Sequence, residues 1–195
     1  MVLVDDSGLV VRELRESDAG FLVRWLSDSR VLQFYEGRDR PHDEAMVRRV
    51  FYDASTDEVR CLVEWQGRPV GYLQFYQLSP DGQKELGIET DRGQGENRTA
   101  YGLDLFIGEP ELWGHGLGAR LVGTVLRYLA EEKKATLAIV DPQTWNARAI
   151  RCYEKAGFRK THLLPAHEMY EGQMRDCCLM ECPLPPRRTP SRLSS

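Results

Sequence analysis

The sequence is short of the features that would mark a membrane, secreted, metal-binding or nucleic-acid-binding protein. No run approaches the roughly 20 consecutive apolar residues of a membrane span. Met1 to Asp6 lacks a basic start and a long apolar core, so no signal peptide is expected and the cytoplasm is the expected compartment. The five cysteines, Cys61, Cys152, Cys177, Cys178 and Cys182, contain no C-x-x-C pair, and their number is odd. They read as reduced, mostly buried thiols. His42, His115, His162 and His167 have no metal-ligand spacing with them. An excess of basic residues is also missing. The 26 Lys and Arg against 30 Asp and Glu leave a charge of −4, which argues against nucleic acid and is mildly favourable for a cationic small substrate. No internal repeat and no second domain is visible. The 195 residues, 42% hydrophobic and 29% charged, suffice for one domain with a full core.

The chain is organised around Tyr101 to Tyr128. Tyr101 to Ile107 is a short apolar run with one acid, Asp104, and reads as a mostly buried strand. Leu117 to Leu129 carries apolar residues at helical spacing. Between them lies Gly114-His115-Gly116-Leu117-Gly118. A strand feeding a glycine-rich turn that opens a helix presents free backbone N–H groups and a positive dipole end, an arrangement that binds phosphate; the other reading is a glycine-rich helix start with no ligand. A Walker loop is excluded, because Gly118-Ala119-Arg120 stands where Gly-Lys-Ser/Thr is needed. Gly114, Gly116 and Ala119 fit the dinucleotide pattern G-x-G-x-x-A. That fingerprint, however, follows its strand directly, and here Gly108 to Trp113 intervene after three earlier strand-like runs.

Taken in order, Leu9 to Leu14 reads as a first strand and Ser17 as the N-cap of a helix with Phe21, Leu22, Trp25 and Leu26 on one face. Val31 to Gly37 contains Phe34, Tyr35 and Glu36, either core packing under a loop or a flap that stacks on a ring-shaped substrate. Asp43 reads as the cap of a second helix. Arg60 to Trp65 and Val70 to Leu78 read as a hairpin, with Gly71 marking a bulge. Ser79 to Thr99 reads as a long polar loop whose Glu85, Glu89 and Asp91 are either solvated charges or a carboxylate wall for amines. Ala135 to Val140 is another strand, followed by Asp141-Pro142 and a helix that Asn146 opens and Gly157 stops. Phe158 to Thr161 begins a further strand, His162 to Arg175 reads as a polar loop with Glu168 and Glu171, and Asp176 to Cys182 closes the sheet. Residues 183–195 are Pro, Arg and Ser rich and are expected to be a disordered tail, leaving residues 1–182 as the domain.

This order of elements resembles that of the GNAT acetyltransferases. The segment Asn146 to Phe158, N-A-R-A-I-R-C-Y-E-K-A-G-F, closely resembles the family's second CoA-contacting motif, N-x-x-A-x-x-x-Y-x-x-x-G-F. The glycine turn is similar to the family's pyrophosphate loop, with Trp113 where Gln or Arg is usual. Phe34 to Gly37, Tyr101 to Pro110, Asp141-Pro142 and Leu164 to Glu168 further resemble the aminoglycoside 6′-N-acetyltransferases. The G-E-P-x-x-W-G-x-G-x-G segment is also similar to siderophore-type acetyltransferases. The resemblance implies an α/β (α+β) fold with a single mixed, mostly antiparallel sheet, splayed at the centre and flanked by helices. It implies acetyl-CoA as cofactor, a cationic aminosugar as acceptor, and a monomer or homodimer.

It also implies roles. The donor site would comprise Leu105, Phe106, Ile107, Trp113, Gly114, His115, Gly116, Leu117, Gly118, Ala119, Asn146, Ala149 and Tyr153. The amides of His115 to Ala119 would hold the pyrophosphate, and the amide of Leu105 or Phe106 the thioester oxygen. Tyr153 is either a buried tyrosine with a satisfied hydroxyl or, as the resemblance implies, the acid beside the thioester sulfur. Asp104 is either a structural acid paired with an arginine or, as the resemblance implies, the general base. Tyr35, Glu36, Glu85, Glu89, Asp104, Asp141 and Glu168 are the candidate acceptor contacts. Cys152, next to Tyr153, is expected to face elsewhere on its helix.

Overall fold

The computed structural model describes residues 1–88 and 99–184. Eight strands form one sheet: β1 (Val2–Asp6), β2 (Leu9–Glu13), β3 (Val59–Trp65), β4 (Arg68–Gln77), β5 (Ala100–Ile107), β6 (Leu137–Val140), β7 (Arg159–Tyr170) and β8 (Gln173–Pro183). Their spatial order is β1-β2-β3-β4-β5-β6-β8-β7. Every neighbouring pair is antiparallel except β5–β6. The helices are α1 (Ala19–Trp25), α2 (Ser29–Leu32), α3 (Glu44–Phe51), α4 (Pro80–Glu85), α5 (Leu117–Glu132) and α6 (Ala147–Lys155).

The pleat of the sheet decides which helices cover which face. Tyr101 and Leu103 of β5 pack into a core with Leu121, Val125 and Leu129 of α5 and with Ile150 and Tyr153 of α6. Phe106, on the other face, packs with Leu22 and Trp25 of α1 and with Val47 and Phe51 of α3. Asp104 shares the parity of Phe106 and therefore projects toward the α1–α3 side.

The β5–β6 pairing sets up the site. It covers only Ala100 to Gly102 against Leu137 to Ile139, and then the two strands part. Pro142, just past β6, has no N–H to continue a ladder. Gly108 donates its amide to Val70 of β4 at 2.8 Å, so even-numbered residues of β5 direct their backbone groups to β4. By the same alternation Leu103, Leu105 and Ile107 turn theirs into the open seam. The Trp113 indole takes up one of these groups, donating to the Ile107 carbonyl at 2.8 Å.

Several local expectations need correction. Residues 2–6 form a strand, β1, joined to β2 by Ser7-Gly8 with both φ angles positive. Ser17 is not a helix cap. It lies in a 3-10 turn that Asp18 closes by accepting the Arg15 amide at 2.8 Å, while Arg12 grips the same carboxylate at 2.7 and 2.9 Å. The segment after β4 is not wholly irregular, because Ser79 caps α4 through the Gly82 amide at 3.0 Å. Residues 162–175 are not a loop but the greater part of a β7–β8 hairpin. Its turn is Glu171-Gly172, with φ of 47° and 73°, the primed geometry that suits a twisted hairpin. Glutamate at a position usually held by Asn or Asp hides that turn in the sequence. Strand β8 runs to Pro183 and Leu184 is buried, one and two residues beyond the expected end. The rest of the proposed tail, from residue 185, lies outside the described residues.

Candidate active site

Two cavities flank the open seam. The first, of about 340 Å³, lies over the glycine loop between the ends of α5 and α6. Leu105, Phe106 and Ile107 contribute from β5, and Trp113, Gly114, Gly116, Leu117, Gly118 and Ala119 from the loop and α5. Asn146, Ala149 and Tyr153 contribute from α6. Of the expected donor residues, His115 alone is not in this wall, and its side chain is exposed.

Local chemistry explains the loop. Gly116 sits at φ +86° as the residue preceding α5 and offers no side-chain cap. The Arg120 amide returns to the Gly116 carbonyl at 3.1 Å, which leaves the amides of Leu117, Gly118 and Ala119 pointing out of the helix end. On the facing helix, Asn146 caps α6 through the Ala149 amide at 3.1 Å. Arg148, Arg151 and Lys155 of α6 also line this cavity, and no acidic residue does among the described residues. A groove with free amides, three cations and no carboxylate fits the pyrophosphate-bearing acetyl-CoA.

The second cavity, of about 370 Å³, has the opposite charge. Glu36, Asp104, Asp141 and Glu168 line it, with no lysine or arginine among the described residues. Phe34, Leu105, Asn146, Ala149 and Tyr153 belong to both cavities, so the two meet at the seam.

Each carboxylate arrives from a different element. Asp104 stands directly opposite Gln74 in the β4–β5 ladder. The Gln74 amide nitrogen donates to Asp104 Oδ2 at 2.9 Å, and the buried Tyr72 hydroxyl donates to Gln74 Oε1 at 2.6 Å. The phenol thus dictates which end of the amide faces the acid. Burial pushes the Asp104 carboxyl up to about 6; the Gln74 bond opposes this, and Asp141, Glu58 and Glu168 add to it. No arginine or lysine pairs with Asp104 among the described residues, so it is not the arginine-bound structural acid.

Asp141 follows β6 and meets His167 Nε2 at 3.1 Å. Glu168 accepts from Gln143 Nε2 at 2.8 Å, and burial raises its pKa. A register shift in β7 between Leu164 and Glu168 turns His167 and Glu168 toward the cavity. Glu36 adopts φ +71° and pairs with Arg40 at 3.2 Å. Arg38 clasps Glu171 at 2.6 and 2.9 Å and Tyr170 donates to the Gln33 carbonyl at 2.9 Å, so the β7–β8 turn and the Tyr35 segment are tied together. Tyr35 packs on Phe106 with ring centroids 4.7 Å apart while also lining the cavity.

Glu85 does not belong here: it is exposed near the end of α4 and lines neither cavity. Glu89 and Asp91 lie outside the described residues. Phe106 lines the donor cavity, but its amide is directed at β4, which leaves Leu105 as the seam-facing donor. Tyr153 is 8% exposed, and its hydroxyl bonds to none of the described residues. Cys152 does not face away. It lines the donor cavity beside Gly118, where burial raises its thiol pKa. Sequence reasoning also missed Gln74, Gln143, Trp145, His167 and Arg148. Of these, Gln74 alone carried a local signal, lying two residues past Tyr72 on the same face of a strand.

The GNAT acetyltransferase domain family matches residues 15–164. The chain is 29% identical over 163 residues to an aminoglycoside N(6′)-acetyltransferase type 1 of Klebsiella pneumoniae, covering 82% of this chain and 78% of the relative. It is 28% identical over 148 residues to an N(6)-hydroxylysine O-acetyltransferase of Escherichia coli, covering 73% of this chain and 43% of that protein. The structure of AAC(6′)-Ib in complex with ribostamycin and coenzyme A superposes with a TM-score of 0.72 at 27% identity, covering 91% of this chain and 94% of the other. Family and fold agree, and the groove beside the glycine turn fits phosphate: the chain belongs to the GNAT acetyltransferases, with acetyl-CoA as its acetyl donor.

Proposed function

We propose that this protein acetylates the 6′-amine of aminoglycoside antibiotics, by direct attack of the amine in a ternary complex, and so confers resistance to them. The observation that carries the reading is the separation of charge. Among the described residues, three cations and no acid line one cavity, four carboxylates and no lysine or arginine line the other, and the two share a wall. A polycationic aminosugar needs several carboxylates, and the rings of Tyr35, Trp145 and Tyr170 beside them suit sugar faces. The relatives that bind or modify aminoglycosides support the same acceptor class.

Acetyl-CoA supplies an acyl group already activated as a thioester. The acceptor arrives as an ammonium ion and must lose a proton before it attacks. Asp104, raised to about 6, is mostly ionised at neutral pH yet basic enough to take that proton. Gln74 fixes the carboxylate by holding Oδ2, leaving Oδ1 for the amine. The Leu105 amide, turned into the seam, faces the charge that develops on the carbonyl oxygen. The Tyr153 hydroxyl, with no partner among the described residues, stabilises the departing thiolate by a hydrogen bond. Burial keeps the Cys152 thiol protonated, which disfavours an acyl-cysteine route.

The test is thiol release from acetyl-CoA with kanamycin, beside a kanamycin analogue bearing a 6′-hydroxyl, a polyamine and a hydroxylysine-type acceptor. Release with kanamycin and silence with its 6′-hydroxyl analogue are expected. Release with the polyamine or the hydroxylysine-type acceptor alone would overturn the acceptor assignment.

A further inference from the structure

Arg148 stands out among the arginines of this protein. Arg12, Arg30, Arg38 and Arg48 each hydrogen-bond carboxylates, which raise their pKa values. Arg148 goes the other way, lowered by burial, with no carboxylate partner among the described residues. Instead its guanidinium sits in the corner formed by two aromatic rings whose planes meet at 86°. Its Cζ is 3.8 Å from the Phe34 ring centroid and 3.9 Å from that of Trp113. Those rings also touch each other edge to face, with centroids 5.9 Å apart.

A guanidinium carries its five N–H donors in its plane, so against two near-perpendicular rings it stacks face-on on at most one and turns an edge to the other. The two rings hold and partly desolvate the cation without neutralising it and leave N–H donors on its other edges, whereas a carboxylate would occupy two donors and neutralise the charge. A half-buried, pre-oriented cation with free donors is incomplete without an anion. Its place says which anion. Arg148 lines the donor cavity with the glycine loop, and Trp113, which stacks on it, immediately precedes that loop. Arg151 and Lys155 follow at i+3 and i+7 on the same face of α6, but both are exposed and neither is stacked.

We propose that Arg148 is a phosphate ligand of the donor groove, binding the pyrophosphate of coenzyme A from the side opposite the amides of Leu117 to Ala119. Phe34 and Trp113 are its cradle, and the rings replace the counter-charge that would compete with the cofactor. Because Phe34 also lines the acceptor cavity, the cation that grips the cofactor steadies that cavity's wall as well.

Calorimetric binding of coenzyme A, dephospho-coenzyme A and pantetheine, with no acceptor present, tests this apart from the acceptor assignment. Arg148→Leu is expected to weaken coenzyme A and dephospho-coenzyme A alike, by at least about tenfold, the low end for a charge-assisted phosphate contact. Pantetheine, followed by displacement, is expected to be unchanged. Arg148→Gln, with its planar amide, carries the same expectation if the leucine variant does not fold. A loss confined to coenzyme A would move the contact to the 3′-phosphate, and an equal loss for pantetheine would reduce Arg148 to packing. Either result, or unchanged affinity throughout, overturns the proposal.

Discussion

Asp104→Asn is expected to make the protein more stable while making it nearly inactive. Burial and neighbouring acids raise the carboxyl from 3.8 to about 6. At about 1.4 kcal/mol per unit, holding this group ionised costs the fold about 3 kcal/mol at neutral pH. The sign follows from proton uptake. Between about pH 4 and 6 the folded chain keeps a proton that the unfolded chain has released, so stability falls as pH rises through that window. Asparagine carries no charge and still accepts the Gln74 bond, but leaves an amide in a partly buried site. A net gain of roughly 1–3 kcal/mol at pH 7.5 is expected. For a domain of this size that is roughly 3–10 °C in Tm. At pH 5 the gain shrinks, because the wild-type acid is then mostly protonated. Turnover falls at least about a hundredfold, the low end for a general base. Thermal melts at both pH values and thiol-release kinetics read the two effects. A Tm lowered at pH 7.5 would mean that Asp104 is held by an ion pair, and unchanged turnover would mean that it takes no proton.

Further outcomes follow from the same geometry. The acid limb of kcat/KM should have its midpoint near pH 6, the value of Asp104 in the free enzyme. Glu168→Gln should move that midpoint to lower pH, because a negative neighbour that raises Asp104 is gone; a pH-rate series shows the direction. Tyr153→Phe should lower kcat by at least about tenfold, since the donor to the leaving thiolate is lost. Its stability should stay within about 0.5 kcal/mol, because the hydroxyl bonds to no described residue; a denaturant titration checks this. A large loss of stability would show that the hydroxyl is structural.

The donor half of the site was legible because it is local. A strand, a turn with left-handed glycines and a helix start are contiguous, and their amides converge wherever that sequence folds. The Asn146 to Phe158 segment is likewise one helix, and its cap and stop residues behave as their spacing implied. The parting of β5 and β6 was expected only through a resemblance, and the pairing now states it residue by residue.

The acceptor half was legible as residue types but not as a set. Nothing in composition separates Asp141 and Glu168, which reach the cavity, from Glu85, which does not. That choice follows from β8 inserting between β6 and β7, and from a bulge that turns Glu168 inward. His162 to Arg175 read as a loop because its exposed strand shows little alternation and its turn uses glutamate.

Local sequence specifies the glycine turn that opens α5, the capped helix facing it and an isolated acid in a buried strand, because backbone geometry over a few residues is set by those residues. Long-range packing chooses which four of thirty acids share a cavity, which amide opens into the seam, and that Arg148 lies in the corner of two rings. Those depend on contacts between segments tens of residues apart, where sheet order and packing, rather than local preference, choose the neighbours.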